Sequence, residues 1–167
     1  EALSELLHTQ NYKKTEINLV NIDKKSLEKA SKILANAKKP IIWAGGGVNI
    51  SGASVELLAI AEYLQAPVLT TPEGKGSISD KHYLSIGTPQ GRSTGNSKDS
   101  LRDFFYTRDV VLAVGTRFAN AEAKSSQQVV QIDIDLKEIG RNHKKTFGIL
   151  GDARLALAQL LKIIKSK

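Results

Sequence analysis

The stretch Val110-Val111-Leu112-Ala113-Val114, closed by Gly115, constrains this chain more than any other. Five apolar residues in a row leave no side for solvent. A strand built from them is covered on both faces and paired along both edges. Other short runs share that character: Ile41-Ile42-Trp43-Ala44 before three glycines, Pro67-Val68-Leu69-Thr70, Val129 to Asp135, and Phe147 to Leu150. A weaker one, Tyr83-Leu84-Ser85-Ile86, interrupts a loop over residues 71–97 that is rich in Gly, Ser, Thr and Pro.

Helical periods fill the spaces between these runs. Asp23 is a helix N-cap, followed by Leu27, Ala30, Ile33, Leu34 and Ala37 on one face, with Pro40 as the stop. Ser51 or Ser54 caps a second helix carrying Leu57, Leu58, Ala61 and Leu64. Residues 99–106 form a short third helix. Asp152 caps a last one, with Leu157, Leu160, Leu161 and Ile164 inward. Connections have crossover length and hairpin signals are missing. The expected fold is therefore α/β: a three-layer, Rossmann-like, doubly wound parallel sheet of about six strands with helices on both faces. Leu3, Leu6 and Leu7 read as the end of a preceding helix, so residues 1–19 are assigned to a linker and 20–167 to the domain.

In such sheets ligands sit at the carboxyl ends of the strands. Those ends are Gly45-Gly46-Gly47, Thr70-Thr71, Gly87-Thr88, Gly115-Thr116-Arg117, Asp133-Ile134-Asp135 and Gly151-Asp152. Gly45-Gly46-Gly47 either lets a pyrophosphate approach the backbone or forms a tight strand–helix turn. A dinucleotide fingerprint G-x-G-x-x-G would need glycine where Ile50 stands, and no acid follows about 20 residues on. Gly91-Arg92-Ser93-Thr94-Gly95 matches G-x-S-x-G, yet it lies inside a polar loop and not on a strand–helix elbow, so it reads as loop. Asp133 can accept from a ribose hydroxyl or can be a solvated strand end. Arg117 can hold a phosphate or form a surface ion pair. No catalytic constellation is complete.

Composition narrows the classes further. There is no cysteine, which excludes disulfides and thiolate chemistry and fits a reducing, cytoplasmic setting. His8, His82 and His143 have no zinc spacing on one helix or hairpin, so no metal site is expected. No apolar run exceeds five residues, whereas a membrane helix needs about 20, so no membrane partner is expected. The net charge is +7, but the lysines are dispersed as pairs and aromatics make up only 5%, so nucleic acid is not expected as a partner. The chain opens on Glu1 and contains no methionine, which suggests a domain cut from a longer protein.

Five stretches together resemble the central domain of thiamine-diphosphate-dependent enzymes, nearest to the acetohydroxyacid (acetolactate) synthase catalytic subunits. They are KKPIIWAGGGV (38–48), APVLTTPEGKGSISDKHYLSIG (66–87), DVVLAVGTRF (109–118), VVQIDIDLKEIGRN (129–142) and ILGDARLAL (149–157). The resemblance implies an excised, non-catalytic flavoprotein-like middle domain that bridges flanking pyrimidine- and diphosphate-binding domains. The parent would be a transferase or lyase of branched-chain amino acid biosynthesis, a homodimer or homotetramer. It would decarboxylate pyruvate and condense it with a 2-oxo acid, with thiamine diphosphate and magnesium bound outside this fragment, which alone would be inactive. Carried over by position, FAD contacts would come from Gly45, Gly46, Gly47, Thr70, Thr71, Gly87, Gly91, Gly115, Thr116, Arg117, Asp133, Ile134, Asp152 and Ala153. The synthases continue after RF with DDRVTG; here the run is Ala119-Asn120-Ala121-Glu122-Ala123. A relative with ADP or nothing in the crevice, and a stand-alone nucleotide module, are the alternative readings.

Overall fold

The computed structural model describes residues 21–89, 97–119 and 121–166. Six strands form one sheet: β1 (Pro40–Ala44), β2 (Val68–Thr70), β3 (Ser85–Gly87), β4 (Val110–Val114), β5 (Gln128–Asp133) and β6 (Thr146–Leu150). Every pairing is parallel and the order is β3-β2-β1-β4-β5-β6. The chain thus starts in the middle, winds outward one way, and returns to wind outward the other, which is the doubly wound arrangement expected. β4 sits at the centre because all five of its residues are buried.

Among the described residues five helices accompany the sheet: α1 (Lys24–Ala35), α2 (Gly46–Ile50), α3 (Ser54–Leu64), α4 (Ser97–Tyr106) and α5 (Ala153–Lys165). Leu27, Leu34, Leu57, Ile60, Leu157 and Leu160 bring α1, α3 and α5 onto one face, against Ile42, Leu112, Val130 and Ile149. The opposite face carries Ile41, Trp43, Leu69, Val111, Ala113 and Val129, covered by Phe105 of α4 with Phe118 and Ala121. Trp43 meets Phe105 and Phe118 edge-on, with ring centroids 5.1 and 5.6 Å apart.

Local chemistry explains most boundaries. The Asp23 carboxylate accepts the Ser26 amide at 2.8 Å and starts α1. Asp152 does the same for α5 by accepting the Leu155 amide at 3.0 Å. Replacing Asp152 with Ala is expected to cost about 1 kcal/mol of stability, read as a lower urea midpoint with an unchanged slope. The Asp109 carboxylate accepts the amides of Lys38 and Lys39 at 2.7 and 2.9 Å and fastens the α1–β1 turn to β4. Partial burial pushes its pKa up, but those amides outweigh burial and hold it below the usual carboxylate value.

Several boundaries differ from the sequence reading. α1 ends at Ala35 with Asn36 as its cap, and Pro40 opens β1 instead of stopping the helix. Neither Ser51 nor Ser54 is an N-cap: Ser51 closes α2, a turn of helix not anticipated, and Ser54 begins α3 behind Ala53, which makes no side-chain cap bond. The strand in the 71–97 loop is Ser85–Gly87 and not Tyr83 to Ile86. β5 stops at Asp133, so Ile134 and Asp135 lie beyond the strand expected to run from Val129 to Asp135.

Charge is unevenly placed along the strand direction. The residues entering β1, β4 and β6 include Lys38, Lys39, Arg108, Lys144 and Lys145. At the far end, where the strands leave the sheet, Glu73, Asp133, Asp135, Glu138 and Asp152 surround one cavity, with Lys75, Lys137 and Arg141 in the same loops.

Candidate functional site

The cavity lies at the carboxyl edge of the sheet, beside the β1/β4 switch point, and has a volume of about 840 Å³. Its back wall is Trp43, Ile132 and Phe118. The β1–α2 turn supplies Gly46 and Gly47, and the β4 exit supplies Gly115, Thr116 and Arg117. The β5 exit supplies Asp133, Ile134 and Asp135, and the start of α5 supplies Gly151, Asp152 and Ala153.

Two of the three turn glycines are required by the protein itself. A Cβ on Gly45 would lie 2.3 Å from the Gly115 carbonyl oxygen, and one on Gly47 would lie 2.6 Å from Gly115 Cα. The Gly45 amide donates to the Val114 carbonyl at 2.8 Å and the Gly47 amide to the Gly115 carbonyl at 3.0 Å. Only Gly46 and Gly47 border the cavity, and Gly45 is buried behind them. The glycine run is thus explained by backbone meeting backbone where two strands leave the sheet together.

The rest of the wall is held by polar clamps. Thr71 accepts the Gly74 amide at 3.0 Å and turns the loop after β2 toward the cavity, where Glu73 joins the lining. Asn49 of α2 donates to the carbonyls of Glu73 and Lys75. Gln131, buried on β5, donates to the carbonyls of Thr116 and Glu138 at 3.1 Å each and accepts the Gly140 amide at 2.9 Å. Asn142 donates to the Arg117 carbonyl at 2.8 Å. Phe118 takes a left-handed backbone at φ 55°, unusual for a bulky residue, and is kept there by its place against Trp43.

Asp133 has its pKa raised, first by burial and then by the charges of Glu138 and Asp135, against the pull of the Asp135 and Ile134 amides. The folded state therefore keeps this proton where the unfolded chain has lost it, and stability falls as pH rises through the window above the ordinary value of 3.8. Asp133→Asn keeps an acceptor for the Asp135 amide and removes the charge. Its melting temperature is expected to gain on the parent's as pH climbs from about 4 to 6; a difference that stays constant with pH would contradict this account.

Of the residues singled out from sequence, Gly46, Gly47, Thr71, Gly115, Thr116, Arg117, Asp133, Ile134, Asp152 and Ala153 meet around the cavity. Gly45 and Thr70 are buried outside it, Thr70 being bonded to Thr88 at 2.8 Å. Gly87 ends the edge strand β3, away from the cavity. Gly91 and Ser93 lie outside the described residues. Asp135 and Gly151, named among the strand ends, also line it, whereas sequence reasoning passed over Trp43, Ile50, Ser51, Glu73, Phe118, Ala119, Ile132 and Glu138 as parts of this wall. Among the described residues no group of three or more His, Cys, Asp or Glu is arranged to hold a metal, and no helix is long and apolar enough to cross a membrane.

Comparison with known proteins places these features in a family. Residues 27–160 match the family described as "Thiamine pyrophosphate enzyme, central domain". A protein of Methanococcus aeolicus named "Probable acetolactate synthase large subunit" is 40% identical over 144 residues, covering 83% of this chain and 23% of its own length. The acetolactate synthase large subunit of Corynebacterium glutamicum is 34% identical over 148 residues, 85% of this chain and 23% of its own. The crystal structure of benzoylformate decarboxylase from Polynucleobacter necessarius superposes with a TM-score of 0.73 at 19% identity, over 91% of this chain and 29% of that one. The chain thus spans about a quarter of the length of the relatives it matches.

Proposed function

Because the chain belongs to the thiamine pyrophosphate enzyme central-domain family, we propose that it serves as the non-catalytic middle domain of an acetolactate synthase-like enzyme. On this reading residues 20–167 form the domain, and it bridges flanking domains that carry the chemistry in a cytoplasmic homodimer or homotetramer. Thiamine diphosphate, held with magnesium on those flanks, supplies the electron sink for decarboxylating pyruvate before its union with a second 2-oxo acid. The chain's own part is to shape one wall of the assembly and to hold a ligand in its crevice.

FAD is the ligand the resemblance implies, and the residues fit part of it. The aromatic back wall of Trp43 and Phe118 suits a flat ring. Asp133 and Asp152 are acceptors for ribose or ribityl hydroxyls. The diphosphate fits poorly: Arg117 is the one cation among the described lining residues, and the turn amides of Gly45 and Gly47 are already spent on carbonyls. The observation that carries the reading is the cavity itself, opened at the switch point of a doubly wound sheet.

Two measurements test it. The purified chain, given pyruvate, thiamine diphosphate and magnesium, is expected to form no acetolactate; turnover would overturn the non-catalytic assignment. Binding of a flavin or adenine compound should perturb the fluorescence of Trp43, the single tryptophan, in a saturable way. No saturable change and no calorimetric heat with any of them would remove the ligand role.

A further inference from the structure

We propose that the crevice recognises the uncharged, donor-bearing part of its ligand and not the phosphates, so that riboflavin or adenosine binds at least as tightly as FAD or ADP. This rests on the crevice being the ligand site proposed above.

Charge is the first argument. Glu73, Asp133, Asp135, Glu138 and Asp152 face the cavity with Arg117 as the one cation among its described lining residues. Arg141, at 2.9 Å from Glu138 Oε1, offsets one of these carboxylates from outside the lining. The remaining excess is negative, although the chain as a whole carries +7. A diphosphate brought within a few ångströms of such a wall is repelled, and salt weakens that repulsion because Glu73 and Asp135 stand exposed.

Hydrogen-bond bookkeeping points the same way. Asp133 Oδ1 accepts the Asp135 amide at 3.0 Å, Asp135 Oδ1 the Lys137 amide at 2.9 Å, and Asp152 Oδ1 the Leu155 amide at 3.0 Å. Asp135 and Asp152 each keep a second oxygen without a donor among the described residues. Glu138 Oε2 is buried and also lacks one. Ionised carboxylates only accept, so the complementary ligand brings hydroxyl or amino groups. A phosphate brings further acceptors. On the β1–α2 turn the amides that would serve it are largely taken: Val48 N–H bonds to the Gly45 carbonyl at 3.1 Å and the Gly45 and Gly47 amides bond to β4, which leaves Gly46.

The apolar part of the ligand has a place as well. Trp43, Ile132 and Phe118 form the inner wall, and Trp43 is only 3% exposed, so a ring set there is shielded from water on one side.

Isothermal titration of the full chain with riboflavin, FAD, adenosine and ADP decides the matter. At low ionic strength and without divalent metal, the neutral member of each pair is expected to bind equally well or several-fold tighter. Raising salt to about 0.5 M should narrow that gap by strengthening ADP and leaving adenosine unchanged. The variants Glu73→Gln and Asp135→Asn, combined, should tighten ADP about fivefold. FAD or ADP binding tenfold or more tightly than its neutral partner would overturn the proposal and leave the ligand site standing. Absence of binding by all four would overturn the proposal together with the site reading.

Discussion

Gly115→Ala is expected to lower the melting temperature by about 10 °C, corresponding to roughly 3 kcal/mol for a domain of this size. Two costs combine. Gly115 has φ 56°, where an L side chain is strained by about 1 kcal/mol or more. A Cβ there would also lie 2.6 Å from Gly47 Cα and 2.8 Å from Gly47 C, which are backbone atoms and cannot rotate aside. Gly76→Ala separates the two, because Gly76 has φ 90° with nothing within 4 Å of the added carbon. Only the conformational part should appear there, a loss of about 1 kcal/mol. Equal losses in the two variants, measured by thermal melts, would show that the contact between the β1–α2 turn and the β4 exit carries no weight. If Gly115→Ala fails to accumulate, Gly47→Ala probes the same contact from the other side without the unusual φ.

Gln131→Leu should cost about 2–4 kcal/mol despite similar volume. Gln131 is 2% exposed and its amide serves three backbone groups from two separate loops. Leucine leaves the carbonyls of Thr116 and Glu138 and the amide of Gly140 without their partner. Those groups regain water only if the loop over residues 134–143 lifts from β5. The expected signature is therefore local as well as global: hydrogen exchange at Gly140 accelerates more than exchange in the α1–α5 layer. Uniform acceleration across the chain would mean that Gln131 supports the fold generally and not this loop.

The sheet was legible in the sequence because its strands are buried on both faces and so read as apolar runs ending at glycine or acid. Val110–Val114 and Ile41–Ala44 needed no tertiary information. Asp23 and Asp152 were legible for a different reason: a cap is satisfied by amides within three residues, so its chemistry is local. α2 was not legible, since Gly-Gly-Val-Asn-Ile has no apolar period and a weak intrinsic helix preference. The end of β5 misled because Ile-Asp-Ile-Asp continues to alternate after β6 has stopped pairing with it. In the candidate site the glycines and acids at strand ends could be picked out, but not which of them face the cavity. Gly45 turns inward against β4, and Thr70 is occupied by Thr88. Gln131, Glu138 and Phe118 take their roles from loops that return over the sheet, which no local pattern encodes.

The lysines and arginine at the entry to β1, β4 and β6 lie at the opposite pole from the acid-lined crevice. A negatively charged chromatographic bead will therefore grip the domain by its lysine pole and turn the crevice outward. Captured molecules would stand in a common orientation with their mouths open to whatever is washed over them, so the domain comes with its own means of oriented immobilisation.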